Sequence, residues 1–237
     1  MSDYLSEQFT KFIKKNEVNT IFECGSRDLL DAISLYSFYK KNNPIVYAFE
    51  CNPDGLQKCK ENYNNLDVNS KKSIKLIEKA IFIENKETVF KAFDLSKYNN
   101  MGASSLLKID FSTSRQSSDL DYNRGDVQKN VIVSGIRLDT FCENENIQSI
   151  DLLCMDLQEY ELEALKSLGN KIKNVKYIIS EACFNNTYEN GNDFNDLHNF
   201  LIENGFEYKT SNVSGEKLPV NKSKYYNFFD VLYINKF

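Results

Sequence analysis

The sequence has 237 residues, 41% of them hydrophobic and 27% charged, the profile of an ordinary folded protein long enough to bury a core without disulfides or a structural metal. A formal net charge of −5 argues against a broad nucleic-acid face, which needs excess Lys and Arg to neutralise phosphates. No run approaches the ~20 apolar residues of a membrane span. The opening MSDYLSEQFTKFIKKN is polar and carries no secretory pattern. The six cysteines form no CxxC pair, and four sit inside apolar runs, so they read as buried small hydrophobes in a reducing compartment. The expectation is one cytoplasmic domain over 1–237, with no nucleic-acid or membrane partner.

In chain order, Ser6–Lys15 has the spacing of an amphipathic lead helix within 1–17. Thr20–Cys24 (TIFEC) is a buried strand closed by Gly25. Leu29, Ala32, Ile33 and Tyr36 recur at helical spacing up to Asn42–Pro44. Ile45–Cys51 (IVYAFEC) is a second apolar strand, and Pro53 starts a helix with Leu56, Cys59 and Tyr63 on one face. Ile74–Phe82 is a third strand. Thr88–Leu95 is a fourth, expected to form a hairpin with it through Glu84–Lys86. The polar, weakly periodic stretch Ser96–Lys129 reads as an inserted lid or acceptor-recognition segment, with Arg115 and Arg124, or as a surface loop. Val131–Leu138, Asp151–Leu157 and Val175–Cys183 are further strands. Helices follow around Leu162–Leu168 and Phe194–Ile202, stopped by Gly169 and Gly205. Phe206–Thr210 and Phe228–Asn235 suggest an antiparallel edge. The alternation of strand and helix predicts an α/β fold around a largely parallel sheet.

The polar residues fall where such a sheet binds ligands, beyond the carboxyl ends of its strands. Glu23–Asp28, Glu50, Asp156 and Glu181 close apolar runs. Glu50 comes 25 residues after Gly25, where an acid accepts hydrogen bonds from ribose hydroxyls. That spacing fits NAD and S-adenosylmethionine equally. The loop ECGSRD favours the second, because a pyrophosphate needs a glycine-rich GxGxxG turn and this loop offers one glycine followed by Ser, Arg and Asp.

The succession ECGSRD, AFECNP, KAIF, GASSL, RLDTF, DLLCMDLQEYELEALKSL, IISEA and DVLYIN resembles the FkbM-type methyltransferase family from about Thr20 onward. RLDTF followed by DLLCMDLQEYE is its most specific part. The resemblance implies a Rossmann-like class I methyltransferase fold, with a mostly parallel seven-stranded sheet, an antiparallel C-terminal strand and helices on both faces. It implies S-adenosylmethionine as cofactor and a sugar or glycosylated acceptor methylated on oxygen. Carried over by motif, Glu23, Gly25 and Ser26 line the methionine end, Glu50 holds the ribose beside Cys51, Ala80 and Ile81 border the adenine, Ser104 and Ser105 close over the cofactor, and Asp156 sits near the sulfonium. The chain departs from the family where SRD replaces a second glycine and an Asn. It departs again where the usual DxEGxE reads Asp156-Leu157-Gln158-Glu159-Tyr160-Glu161, so that Gln158 replaces an acid and Glu159 a glycine.

A hydroxyl acceptor gains from a general base, and the candidates are Asp156, Glu181, Glu159 and His198. Asp156 is read alternatively as a helix N-cap, and Glu181 as a structural partner. Glu161 reads as a first-turn helix acid. His198, the only histidine, lies on the apolar stripe of its helix and reads as a core or rim residue. No metal is expected, although Asp156 and Glu181 with a neighbour have the oxygen donors magnesium takes. Tyr225, Tyr226, Phe228 and Phe229 line either a sugar pocket or the core. Two other readings stay open: a binding or scaffold protein that keeps the fold without catalysis, motivated by Gln158 and Glu159, and an NAD-dependent oxidoreductase.

Overall fold

A computed structural model describes residues 3–97, 100–110, 127–221 and 228–236. Arg115, Arg124, Tyr225 and Tyr226 lie outside the described residues. The apolar runs become strands β1 (Thr20–Cys24), β2 (Ile45–Glu50), β3 (Ile74–Glu78), β4 (Ala80–Ile81), β5 (Glu87–Phe93), β6 (Gln128–Ile136), β7 (Ile150–Met155), β8 (Val175–Cys183), β9 (Phe206–Ser211) and β10 (Phe228–Asn235). Between them lie helices α1 (Glu7–Thr10), α2 (Leu30–Tyr39), α3 (Pro53–Asn64), α4 (Val68–Ser73), α5 (Leu138–Asn144), α6 (Glu161–Lys166) and α7 (Phe194–Glu203).

Seven strands form one sheet in the order β3-β2-β1-β7-β8-β10-β9. Pairing is parallel from β3 through β8, and β10 runs antiparallel to both of its neighbours. All six residues of β7 are buried, as expected of a central strand covered on both faces. Alternate residues feed opposite layers. Phe22, Leu153 and Met155 join the cluster under α5, α6 and α7, while Ile21, Leu152 and Cys154 join the one under α1 and α2. Strand order reverses between β1 and β7, and the crevice at their carboxyl ends is where ligands bind in open sheets of this kind.

Four expectations are corrected. The lead helix is one turn, Glu7–Thr10, followed by a turn and a short 3-10 segment. So short a helix is marginal by itself, and burial of Phe9 and Ile13 holds the segment instead. The third strand divides at Lys79, so β3 stays in the main sheet while Ala80–Ile81 turns away to pair parallel with β6. The hairpin through Glu84–Lys86 does not form. β5 pairs antiparallel with β6 from Glu87↔Ser134 to Phe93↔Gln128, building a second sheet in the order β4-β6-β5. A strand's pattern shows which face is buried and leaves its partner open.

Residues 138–144 form a helix where strand character was expected to run to Leu138. Its Phe141 ring meets Phe22, Tyr47 and Phe49 edge-on at centroid distances of 5.7, 5.4 and 4.9 Å. Phe141→Ala is expected to cost about 3–5 kcal/mol of stability, read by denaturant unfolding, because it empties the centre of this aromatic cluster.

Candidate functional site

The loop after β1 is fixed by its neighbours. Gly25 and Ser26 donate their N–H groups to the Phe49 carbonyl, and Asp156 donates to the Cys24 carbonyl at 3.0 Å. Gly25 has φ +93°, and a Cβ there would overlap the Asp156 carbonyl oxygen. Only glycine satisfies both conditions. The ends of β1, β2 and β7 therefore converge on one spot.

Above it opens a cavity of about 320 Å3. Gly25, Glu50, Cys51, Ala80, Ile81, Ser104 and Asp156 all line it. Glu50 is buried, and its carboxylate is oriented by backbone N–H groups: Arg27 at 2.6 Å on Oε2, and Cys51 and Asn52 at 2.7 Å each on Oε1. Burial pushes the Glu50 carboxyl up, and these bonds oppose the shift. Asn52 caps α3 through the Asp54 N–H, and its side-chain amide reaches Ser104 Oγ at 3.3 Å. The Phe93 N–H also donates to Ser104 Oγ. Thus Ser104 ties the 100–104 wall to β5 and to the head of α3.

Five sequence candidates lie outside the cavity lining. Glu23 is buried just before the β1 end, where burial pushes its carboxyl well up. The buried Ser26 side chain beside it opposes that shift. Ser105 points away from the cavity. Its hydroxyl donates to the Gln158 carbonyl at 2.9 Å and accepts from the Leu107 N–H, so it fastens the wall to the 156–159 loop. Glu159 is buried in a structural position. It accepts the N–H groups of Thr187 and Tyr188, and a Cβ at Gly191 would overlap its Oε2. Its φ of +69° is the conformation glycine would take without strain. Glu181 stands behind Asp156, and Gln158 bridges the two, with Nε2 2.8 Å from Asp156 Oδ1 and 2.8 Å from Glu181 Oε2. Burial, with Asp156 adding to it, pushes Glu181 well up.

Sequence reasoning missed several cavity residues: Arg27, Asp31, Asn52, Lys79, Met101, Gly102 and Tyr160. The signal for Asn52 was present, because Asn before Pro is a helix-start pattern directly after Glu50. His198 is a rim residue, with Nδ1 2.8 Å from the Tyr233 hydroxyl, and it does not line the cavity. Phe228 reaches the cavity and Phe229 packs in the core. All six cysteines are free thiols, and only Cys51 is less than fully buried. The RLDTF motif is structural. Arg137 pairs with Asp139 and donates to the Ile83 and Ser167 carbonyls, clasping the start of α5.

Asp156, Glu161 and Glu181 bring carboxylate oxygens within 4.8 Å of one another, an arrangement whose donors suit a hard cation. Glu161 is buried, and burial raises it to about 8, although it accepts the Leu157 N–H at 2.6 Å. An acid raised in the folded state contributes its stability below the unfolded value and loses it as pH climbs toward 8. Glu161→Gln, which keeps the acceptor, is expected to melt about as the wild type near pH 4 and a few degrees above it near pH 9, measured by calorimetry.

No helix among the described residues is long and apolar enough to cross a membrane. None of the curated proteins compared matches the chain in sequence. Among solved structures, the chain is similar to methyltransferase FkbM from Methylobacillus flagellatus KT, with a TM-score of 0.57 and 13% identity over 95% of this chain. It spans about half the length of that protein, 46%. It is also similar to an uncharacterised Listeria monocytogenes serotype 4b protein, with a TM-score of 0.50 and 10% identity over all of this chain and 68% of that one. At such identities the likeness speaks for the fold, a Rossmann-like one shared with methyltransferases. The profile of the methyltransferase FkbM domain matches residues 23–208. With most of its length matched and the sheet order in agreement, the chain belongs to the FkbM methyltransferase domain family.

Proposed function

We propose that this chain is an S-adenosylmethionine-dependent O-methyltransferase acting on a hydroxyl of a sugar or glycoconjugate. The observation that carries the reading is Glu50: a buried carboxylate at the end of β2, oriented by three backbone N–H groups and lining the cavity. Pre-orientation of this kind lowers the cost of accepting hydrogen bonds from two ribose hydroxyls.

The donor set fits the cofactor. Asp31, Glu50 and Asp156 line the cavity against Arg27 and Lys79, a balance that favours a cationic ligand over a pyrophosphate. Gly25 lines the cavity with its backbone alone. The excess of acids over bases counts against the NAD reading. Of the two departures behind the scaffold reading, Glu159 falls outside the cavity and Gln158 lines it, so only Gln158 still bears on that reading.

S-adenosylmethionine, when bound, supplies a methyl group carried on a positively charged sulfur. Glu50 would hold the ribose, with Ala80 and Ile81 as the apolar wall beside the adenine. Asp156 faces the cavity and is the group suited to take the acceptor hydroxyl's proton. Because methyl transfer is an in-line displacement, positioning supplies much of the rate. The saccharide acceptor rests on the family resemblance.

Calorimetry with S-adenosylhomocysteine is expected to show binding that weakens at least about tenfold in Glu50→Gln, a loss of about 1.4 kcal/mol. Absence of binding by the wild type would sink the proposal. In methyl-transfer assays across a glycan panel, Asp156→Asn is expected to lower kcat by about 100-fold or more.

A further inference from the structure

Gln158 occupies the place where the family pattern has an acid, and its surroundings fix what its amide does. Nε2 donates to Asp156 Oδ1 and to Glu181 Oε2, each at 2.8 Å. Oε1 accepts from the Tyr188 hydroxyl at 3.2 Å. In this orientation the amide nitrogen faces the two carboxylates and the amide oxygen faces the Tyr188 hydroxyl. Tyr188 is buried, and its hydroxyl also lies 2.9 Å from the carbonyl of Ala103, a cavity-lining residue. Gln158 itself sits at φ +55°, held by the Ser105 hydroxyl on its carbonyl.

The charges around this cluster are largely acidic. Glu161 approaches from α6, Asp230 lies opposite Glu181 across the β8–β10 ladder, and Glu23 is near Asp156 at the end of β1. Asp230 is raised to about 6, chiefly by burial and then by Asp156. Carboxylates brought this close need something between them, ordinarily a shared proton or a cation. Here one amide nitrogen offers a hydrogen to each.

We propose that Gln158 is a positioning residue whose amide clamps the Asp156 and Glu181 carboxyl groups together, in a place a divalent cation would otherwise take, holding Asp156 toward the cavity. The role of Asp156 in the reaction rests on the function proposed above; the clamp does not. An amide is removed by neither pH nor chelators. A carboxylate at this position would add a third anionic donor, and the oxygens would then suit magnesium or manganese.

The test uses the full chain, with S-adenosylhomocysteine binding measured in parallel. Gln158→Met keeps the length and removes both donors. It is expected to lower Tm by several degrees in the wild-type background and by much less in Glu181→Gln, where only one of the two carboxylates is left to hold. A packing role would give equal losses in the two backgrounds, and that result overturns the clamp. Gln158→Glu is expected to bind Mn2+ at least about tenfold more tightly than the wild type, by electron paramagnetic resonance, with the gain lost in Gln158→Glu/Glu181→Gln. Equal Mn2+ affinity in wild type and Gln158→Glu also overturns it. Should Gln158→Glu not fold, the paired measurement of Gln158→Met in the wild-type and Glu181→Gln backgrounds decides alone. If the wild type fails to bind S-adenosylhomocysteine while the clamp variants behave as expected, the proposed function falls and the clamp stands.

Discussion

The close approach of Gly25 to the Asp156 carbonyl organises this molecule's ligand site. Parallel pairing of β1 with β7 carries past the last residues of the strands, so that the Asp156 N–H still meets the Cys24 carbonyl. A side chain at residue 25 would force those two strand ends apart. The Phe49 carbonyl takes the next two loop N–H groups, and this brings Glu50 under the same turn. The cavity floor is thus three strand ends locked by backbone hydrogen bonds, and the acids that line it inherit their positions from the sheet.

A buried acid without a partner is costly, and the site manages this cost residue by residue. Glu50 is met by backbone donors, Glu159 by the Thr187 and Tyr188 N–H groups, and Asp156 with Glu181 by one glutamine amide. Glu159 shows how a departure from a family pattern is accommodated. It takes a left-handed backbone conformation that a glycine would adopt freely, and its carboxylate fills a space that Gly191 leaves open. The 100–110 wall is fastened to the same loops through Ser105 and Tyr188, so cavity wall and acid cluster form one hydrogen-bonded unit.

The alternation of β and α runs, the burial of the cysteines and the acids at strand ends were legible in the sequence because each rests on local pattern. Glu50 and Gly25 were legible for the same reason. The functions of RLDTF and Glu159 were not: a motif's specificity says that its residues are required, and only their contacts say whether for packing or for chemistry. Arg137 and Asp139 prove to hold a helix start. The β5 strand was recognised and paired wrongly, since its partner β6 lies beyond the inserted segment and no local signal distinguishes it from the nearer β4.

By itself, the sequence determined an α/β chain with an acid-lined, glycine-poor first loop and an acid closing its second strand. These follow from the period of apolar residues and from the chemistry of a few side chains at strand ends. Tertiary structure alone decided which acids share a cavity, which turn inward to hold backbone, and which are joined through Gln158. Those outcomes depend on side-chain direction and on partners far apart in the chain, and residue type does not encode either.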